Sequence, residues 1–407
     1  MTSSIVMVSS YPPRVCRVAS FCDEAREFIA KANPKREVMV VSHTDGRGEN
    51  VLPLINLKRA DWWKTIARRI NDLEPYVVHL QHEYSLYEYR DETGRGDGNQ
   101  GFLNLLEALD YPTVVEAHTV HGRLRDQEAD FIYRLCKRAD VVLLKCHYQK
   151  WRLGWTFQHY GWIEPRNVMV VPRGCRPDKR WGAKDIPKLR KELGLDRIPE
   201  FSEHLVGMVG WIEANKRWDI FLNIWEEVHD EIRRNTGQDW DLLAAGTIHD
   251  PEHKEDVDAW VAQTRKLQAK GLAYYYEFIP RGDIYYKMMA VCDFIVLPST
   301  EETQSGTLAT VIALNKPFVT TAPMEGLTAT AIESEGGLLF TNVEMLKEKV
   351  LRLACDEKLR IELGENLRQY LEEVVSWEVV ARQYGEAYQL AREAGRTGAE
   401  VELPPEF

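Results

Sequence analysis

The stretch PSTEETQSGTLATVIALNKP, residues 298–317, decides how the chain is read. Directly before it, Asp293 and the apolar run FIVL (294–297) read as a buried parallel strand. A polar loop follows, and Ser305-Gly306-Thr307 then opens an apolar helix that ends near Asn315. Ser305 suits an N-cap, because its hydroxyl can accept from a free backbone N–H of the first turn. Gly306 lets a ligand approach the backbone closely. The unpaired N–H groups and the positive end of the helix dipole favour an anion, most simply a phosphate. Glu302 lies in the loop just before, where a carboxylate repels phosphate but accepts hydrogen bonds from sugar hydroxyls. Two readings stay open here, a nucleotide-sugar site and an ordinary strand-loop-helix turn.

Working outward, the stretch belongs to a repeated alternation of strands and helices. Strands are expected at Phe294–Leu297 and, before it, at His204–Val209, Asp241–Ala245 and Tyr274–Ile279; after it at Pro317–Thr321 and Gly337–Phe340. An earlier series has strands at Ile5–Val8, Val38–Ser42, Tyr76–His82, Thr113–Ala117, Val141–Lys145 and Val168–Val171. This is the pattern of doubly wound parallel sheets, in which ligands bind beyond the carboxyl ends of the strands. The expected division is a first Rossmann-like domain over 1–175, a linker with one short helix over 176–201 and a second domain over 202–375. A capped amphipathic helix over about 377–396 is expected to pack back on the first domain.

The 407 residues suit two domains rather than one core. Net charge is −11, which argues against a nucleic-acid partner. The seven cysteines contain no CxxC pair and read as reduced thiols of a cytoplasmic protein. The amino-terminal run is too short for a signal peptide, and no stretch reaches the ~20 apolar residues of a membrane span. The basic-aromatic run KRADWWKTIARR (58–69) has two readings: contact with a lipid surface, or packing of Trp62 and Trp63 on the sheet.

Candidate groups cluster at expected strand ends. Arg14 and Arg17, after the first strand, suit an anion or a solvated helix start. His82 follows the third strand and His118 the fourth. Lys216 and Arg217 follow the first strand of the second series, where either could neutralise a leaving diphosphate or simply open a surface helix. His79/His82 and His118/His121 invite a metal reading. Residues three apart on a strand face opposite sides, so no metal site is expected. Asp256-Val-Asp258 sits in a charged helical run and reads as a solvated face.

Taken together, YPPRVCRVASF (11–21), VVHLQHEYSLY (77–87), VVEAHTV (114–120), VMVVPRGC (168–175), VGWIEANKRWDIFL (209–222) and PSTEETQSGTLATVIALNKPFVTT (298–321) resemble a known family. The chain resembles the GT-B retaining glycosyltransferases of glycosyltransferase family 4 (group 1), and among them bacterial mannosyltransferase-like members. The resemblance implies two Rossmann-like domains facing across a cleft. It implies transfer of a hexosyl group, mannosyl or glucosyl, from a nucleoside-diphosphate sugar to a hydroxyl acceptor such as a saccharide, a lipid or a small molecule. No cofactor or metal is implied beyond that co-substrate. It assigns His118 and Glu302 to catalysis and Lys216, Arg217, Gln304, Ser305, Gly306, Thr307 and Thr310 to the donor. Arg14, Arg17 and His82 fall on the acceptor or phosphate side.

Three positions depart from the family pattern. Thr310 stands where a second carboxylate usually meets the ribose, Trp211 stands where an arginine is usual, and the turn Val15–Val18 lacks glycine. These departures leave two alternatives, a phosphorylase or other sugar-phosphate-using relative, and a catalytically degenerate binding protein.

Overall fold

The computed structural model describes residues 3–121, 124–177, 181–198, 201–248, 253–300, 305–323 and 325–397. The chain forms two compact units, Met1–Gly174 with Trp377–Phe407, and Cys175–Ser376.

In the first unit, β1 (Ile5–Val8), β2 (Val38–His43), β3 (Val51–Ile55), β4 (Val77–His82), β5 (Thr113–Ala117), β6 (Val141–Leu144) and β7 (Val168–Val170) make one parallel sheet in the order β3-β2-β1-β4-β5-β6-β7. β1, β4, β5 and β6 are buried at every position; β1 and β6 are accordingly apolar throughout, while β4 and β5 also bury His79, Gln81, His82 and Glu116. β3 was not expected. Its Pro53 and the exposed edge position disguise it as a loop.

The helix Trp377–Thr397 completes this unit. Trp377, Val380, Ala381, Tyr384, Ala387, Tyr388 and Ala391 recur at helical spacing and are all buried. Trp377 stacks on Phe28 at 5.6 Å between centroids. A Cβ on Gly174 would lie 2.3 Å from the Trp377 ring, so only glycine fits there.

In the second unit, β8 (His204–Val209), β9 (Trp240–Gly246), β10 (Ala273–Glu277), β11 (Phe294–Leu297), β12 (Phe318–Thr321) and β13 (Gly337–Phe340) form a parallel sheet ordered β10-β9-β8-β11-β12-β13. The stretch expected to be a linker with one short helix does hold a helix, and that helix packs into a core. Residues from Cys175 belong to this unit, the helix Ile186–Glu192 forms, and Leu189 and Leu195 are 2% and 1% exposed in its core. Their apolar spacing is masked in the sequence by surrounding Lys, Arg and Pro.

Of the two readings of residues 58–69, the structure takes packing. Trp62 is 3% exposed and stacks on Tyr87, and Trp63 is partly buried on the same core. Among the described residues no helix is long and apolar enough to cross a membrane.

Candidate functional site

The strand order of the second unit reverses between β8 and β11. Loops leaving the carboxyl ends of the two strands flanking such a reversal diverge, and the space between them is where open α/β sheets bind ligands. The loop after β8 contains Gly210, Trp211, Lys216 and Arg217. The loop after β11 leads to Ser305, Gly306 and Thr307. They are tied together, since Thr300 N donates to Asn215 O at 2.9 Å.

Ser305 has extended backbone angles, and its hydroxyl accepts from Leu308 N at 3.1 Å, capping the helix Gly306–Ala313 as expected. Gly306 is exposed at the helix start. The Thr307 hydroxyl accepts from Tyr285 OH at 2.9 Å. Gly210 adopts φ +146°, and a Cβ there would lie 3.1 Å from Thr307 Oγ1. Its carbonyl also fills the space beside Gly246, where a Cβ would stand 1.8 Å away. Two glycines therefore let the loop after β8 close onto the helix start.

The other donor-side candidates are placed less simply. Lys216 is only 8% exposed. Arg217 is engaged by its neighbour, with Nε and Nη2 each donating to Asp219 at 3.0 Å. Its charge is thus spoken for before any diphosphate arrives. Thr310 is 5% exposed and its hydroxyl donates to Gly306 O at 3.3 Å, which ties it back into its own helix. Glu302 and Gln304 lie outside the described residues.

One residue missed in the sequence stands out. The Arg281 guanidinium lies 6.0 Å from the Trp211 ring centroid. The resemblance implies an arginine where Trp211 stands, and a guanidinium from another loop lies beside that position. Nothing local to Arg281 signals this; only the closeness of the β8 loop to the helix Gly282–Ala290 brings it there.

In the first unit, Glu116 near the end of β5 is fully buried. It pairs with Lys145, which follows β6, and accepts from Gln81 Nε2 at 3.0 Å and from Tyr384 OH at 2.6 Å. His79 Nε2 lies 3.3 Å and His118 Nε2 3.8 Å from its Oε2. Burial pushes the Glu116 carboxyl up, but Lys145 and the two histidines outweigh it and hold it well below the usual range. Burial lowers Lys145, against the pull of Glu116. The carboxylate–ammonium pair is the direction consistent with both.

His118 is 9% exposed, with its ring edge-on to Phe21 at 4.8 Å. Burial pulls it down to about 3, so it is neutral at physiological pH, and its Nε2 has no hydrogen-bond partner among the described residues. Sequence reasoning found His118 but not the Glu116–Lys145 pair beneath it. A Glu inside an apolar strand was the available signal, since buried carboxylates need partners.

The acceptor-side expectations change. His82 is fully buried between Phe102 and Phe131, donates from Nε2 to Asn99 Oδ1 at 3.1 Å, and is lowered by burial to about 4. It is a core residue. Arg14 pairs with Asp45 at 2.9 Å. Arg17 is exposed at the start of the helix Arg17–Ala32. His79 and His82 fall on opposite sides of β4, one facing Tyr388 and the other the aromatic core. Among the described residues no group of three or more His, Cys, Asp or Glu is placed to hold a metal ion.

Residues 203–356 match the family described as Glycosyl transferases group 1. The matched segment lies within the second unit. It spans the whole sheet of the second unit and the switch-point loops. Over 92 residues, 22% of this chain, the sequence is 37% identical to an uncharacterised glycosyltransferase of Methanocaldococcus jannaschii, and the match spans 26% of that relative's length. Anabaena HepE, solved in complex with UDP, superposes with a TM-score of 0.70 at 14% identity, covering 95% of this chain and 99% of that one. Sucrose-phosphate synthase from Thermosynechococcus elongatus gives 0.69 at 15% identity, covering 96% and 100%. The fold is the GT-B type, two parallel-sheet Rossmann-like domains.

Proposed function

We propose that the protein is a glycosyltransferase that moves a hexosyl group from a nucleoside-diphosphate sugar to a hydroxyl acceptor, with retention of anomeric configuration. The reading rests above all on one arrangement: Gly210, Thr307 and Tyr285 assembled at the β8/β11 reversal beside Arg281 and Trp211. A diphosphate there meets the free N–H groups after Ser305 and the charge of Arg281. Solved relatives of this fold carry UDP and UDP-glucose, which makes UDP-sugars the first donors to try.

In the reaction the anomeric C–O bond to the diphosphate breaks and a bond to the acceptor oxygen forms. The acceptor proton leaves with the departing phosphate oxygen. Lys216 and Arg281 stabilise the charge that grows on the leaving group. Arg217 contributes less, because Asp219 already neutralises it. Glu302 and Gln304 orient the sugar. His118 acts as a neutral hydrogen-bonding group rather than a cation, since its ring is held unprotonated. The chemistry proceeds without a metal, in the cytoplasm.

The test is a melting-temperature screen with UDP, GDP and ADP on the wild-type chain and on Arg281→Ala, followed by turnover with the matching sugars. A ligand that binds only the folded state raises the melting temperature. The expected result is a shift with one nucleoside diphosphate that Arg281→Ala reduces. Because Thr310 is folded into its helix and offers no carboxylate to a ribose, a second outcome is informative: a response to sugar phosphates alone would replace the transferase with a phosphorylase. No response and no hydrolysis of any donor would leave a binding protein.

A further inference from the structure

The end of β5 carries more charge than packing needs. Glu116 and Lys145 are 0% and 3% exposed in the first unit. Apolar residues of similar volume serve a core as well as a buried ion pair does, and often better. The donors around the carboxylate are sorted by oxygen. Lys145 Nζ and Tyr384 OH reach Oε1, the hydroxyl at 2.6 Å. Gln81 Nε2 at 3.0 Å, His79 Nε2 at 3.3 Å and His118 Nε2 at 3.8 Å approach Oε2.

His118 is fixed in its pose from two sides. Its backbone N–H donates to His82 O at 2.9 Å, and its ring stands edge-on to Phe21. Among the described residues Nε2 is sealed without a hydrogen-bond partner, and Nδ1 is not one of the sealed atoms. Burial, aided by Lys145, Arg173 and His79, keeps a second proton off the ring against the pull of Glu116. A single proton is left, with two nitrogens to choose between.

We propose that Glu116 is a positioning residue for His118: its carboxylate holds the ring proton on Nε2, so that Nδ1 offers a lone pair to a substrate hydroxyl. At 3.8 Å the contact is too long for a hydrogen bond, so the carboxylate acts by charge. An ionised carboxylate only accepts, which attracts an N–H and repels a bare ring nitrogen. A tautomer swap moves a fraction of a unit charge at that distance. At an effective dielectric of about 20 this favours Nε2–H by about tenfold. The tautomer stands on the first unit alone. That the hydroxyl belongs to a sugar or its acceptor rests on the transferase reading above.

The experiment is long-range proton–nitrogen correlation spectroscopy on the full chain with isotopically labelled histidine. The His118 signals are assigned by their loss in His118→Asn. Wild type is expected to show a protonated Nε2 and a bare Nδ1 at neutral pH. In Glu116→Gln, Lys145 and Tyr384 still claim the oxygen, so the amide NH2 takes the place of Oε2 and faces Nε2 as a donor. The proton is expected to move to Nδ1. Glu116→Gln/Lys145→Met strands no ammonium and gives the same reading where the single variant does not fold. A role in stability alone would lower the melting temperature without moving a proton between ring nitrogens. A wild-type proton on Nδ1, or an Nε2–H tautomer that survives Glu116→Gln, overturns the proposal.

These spectra need no substrate. With the donor selected by melting temperature, His118→Asn, whose amide oxygen can stand near the place of Nδ1, is expected to keep about tenfold more kcat/KM than His118→Gln. Equal loss in the two variants overturns the part given to the lone pair. Absence of any transfer by wild type, with Nε2–H observed, removes the transferase reading and leaves the Glu116 assignment standing.

Discussion

The Tyr384 hydroxyl donates to Glu116 Oε1 at 2.6 Å, although 268 residues separate the two. The bond fastens the last helix to the end of β5, two residues before His118. Tyr388 OH repeats the contact against His79 Nδ1 at 2.8 Å. The carboxyl-terminal helix is therefore part of the polar floor under His118, and not an outer layer of the first unit.

The consequences for stability are unequal. Glu116→Gln leaves Lys145 buried without its counter-charge and should cost about 3–5 kcal/mol. Tyr384→Phe removes one hydrogen bond to a carboxylate and should cost about 1.5–3 kcal/mol. Urea denaturation of both single variants and the double variant measures these values. The pair should be coupled, with the double variant less destabilised than the sum. Strict additivity would show that the bond does not form.

Acid sensitivity follows from the two buried histidines. His118 and His82 are lowered by burial from 6.5 to about 3 and about 4. Below 6.5 the unfolded chain takes up protons that the folded chain refuses, so stability falls as pH falls. Above 6.5 neither state gains a proton there and this slope vanishes. Glu116 adds loss of the same sign at lower pH, because its depressed folded value leaves the unfolded carboxyl to protonate first below 4.5. Melting temperatures from pH 7 to 5 should decline, and His82→Gln should flatten the decline. An unchanged slope in that variant would show that His82 is protonated in the folded state.

Gly210 is expected to tolerate no side chain. Gly210→Ala meets both a positive φ of 146° and Thr307 Oγ1 at 3.1 Å. A loss of about 1–3 kcal/mol follows from the backbone alone. Because the same atoms border the helix start, calorimetric affinity for a nucleoside diphosphate should fall too. Tyr285→Phe should leave Thr307 without its donor and weaken that affinity while barely moving the melting temperature.

Ser305 separates capping from binding. Ser305→Ala removes the bond to Leu308 N and should cost about 1 kcal/mol. Ser305→Asp keeps a capping oxygen but adds a negative charge at the proposed phosphate position. It should therefore retain stability and lose diphosphate affinity, as read by calorimetry. Unimpaired affinity in Ser305→Asp would move the phosphate elsewhere.

Local pattern carried most of the fold. Apolar runs bounded by turn residues marked the strands, and Ser305 marked its helix because a cap is a contact between residues three apart. The helix His147–His159 escaped notice for an equally physical reason. With tryptophans outside and Phe157 inside, it has aromatic residues on both sides and no clear amphipathic period. The short helix before residue 201 was expected, but charged neighbours hid that Leu189 and Leu195 are core residues.

The chain itself determined two βα series, the capped helix start after β11, and a histidine at the end of β5. Each of these is set by residues close in sequence, whose periodicity and caps act over one or two turns. Folding alone decided that Arg281 would stand by Trp211, that Lys145 and Tyr384 would meet Glu116, and that His82 would be sealed in the core. Those partners come from separate strands and helices. Which of them meet depends on strand order and on which face each element buries, and no spacing within a segment encodes that.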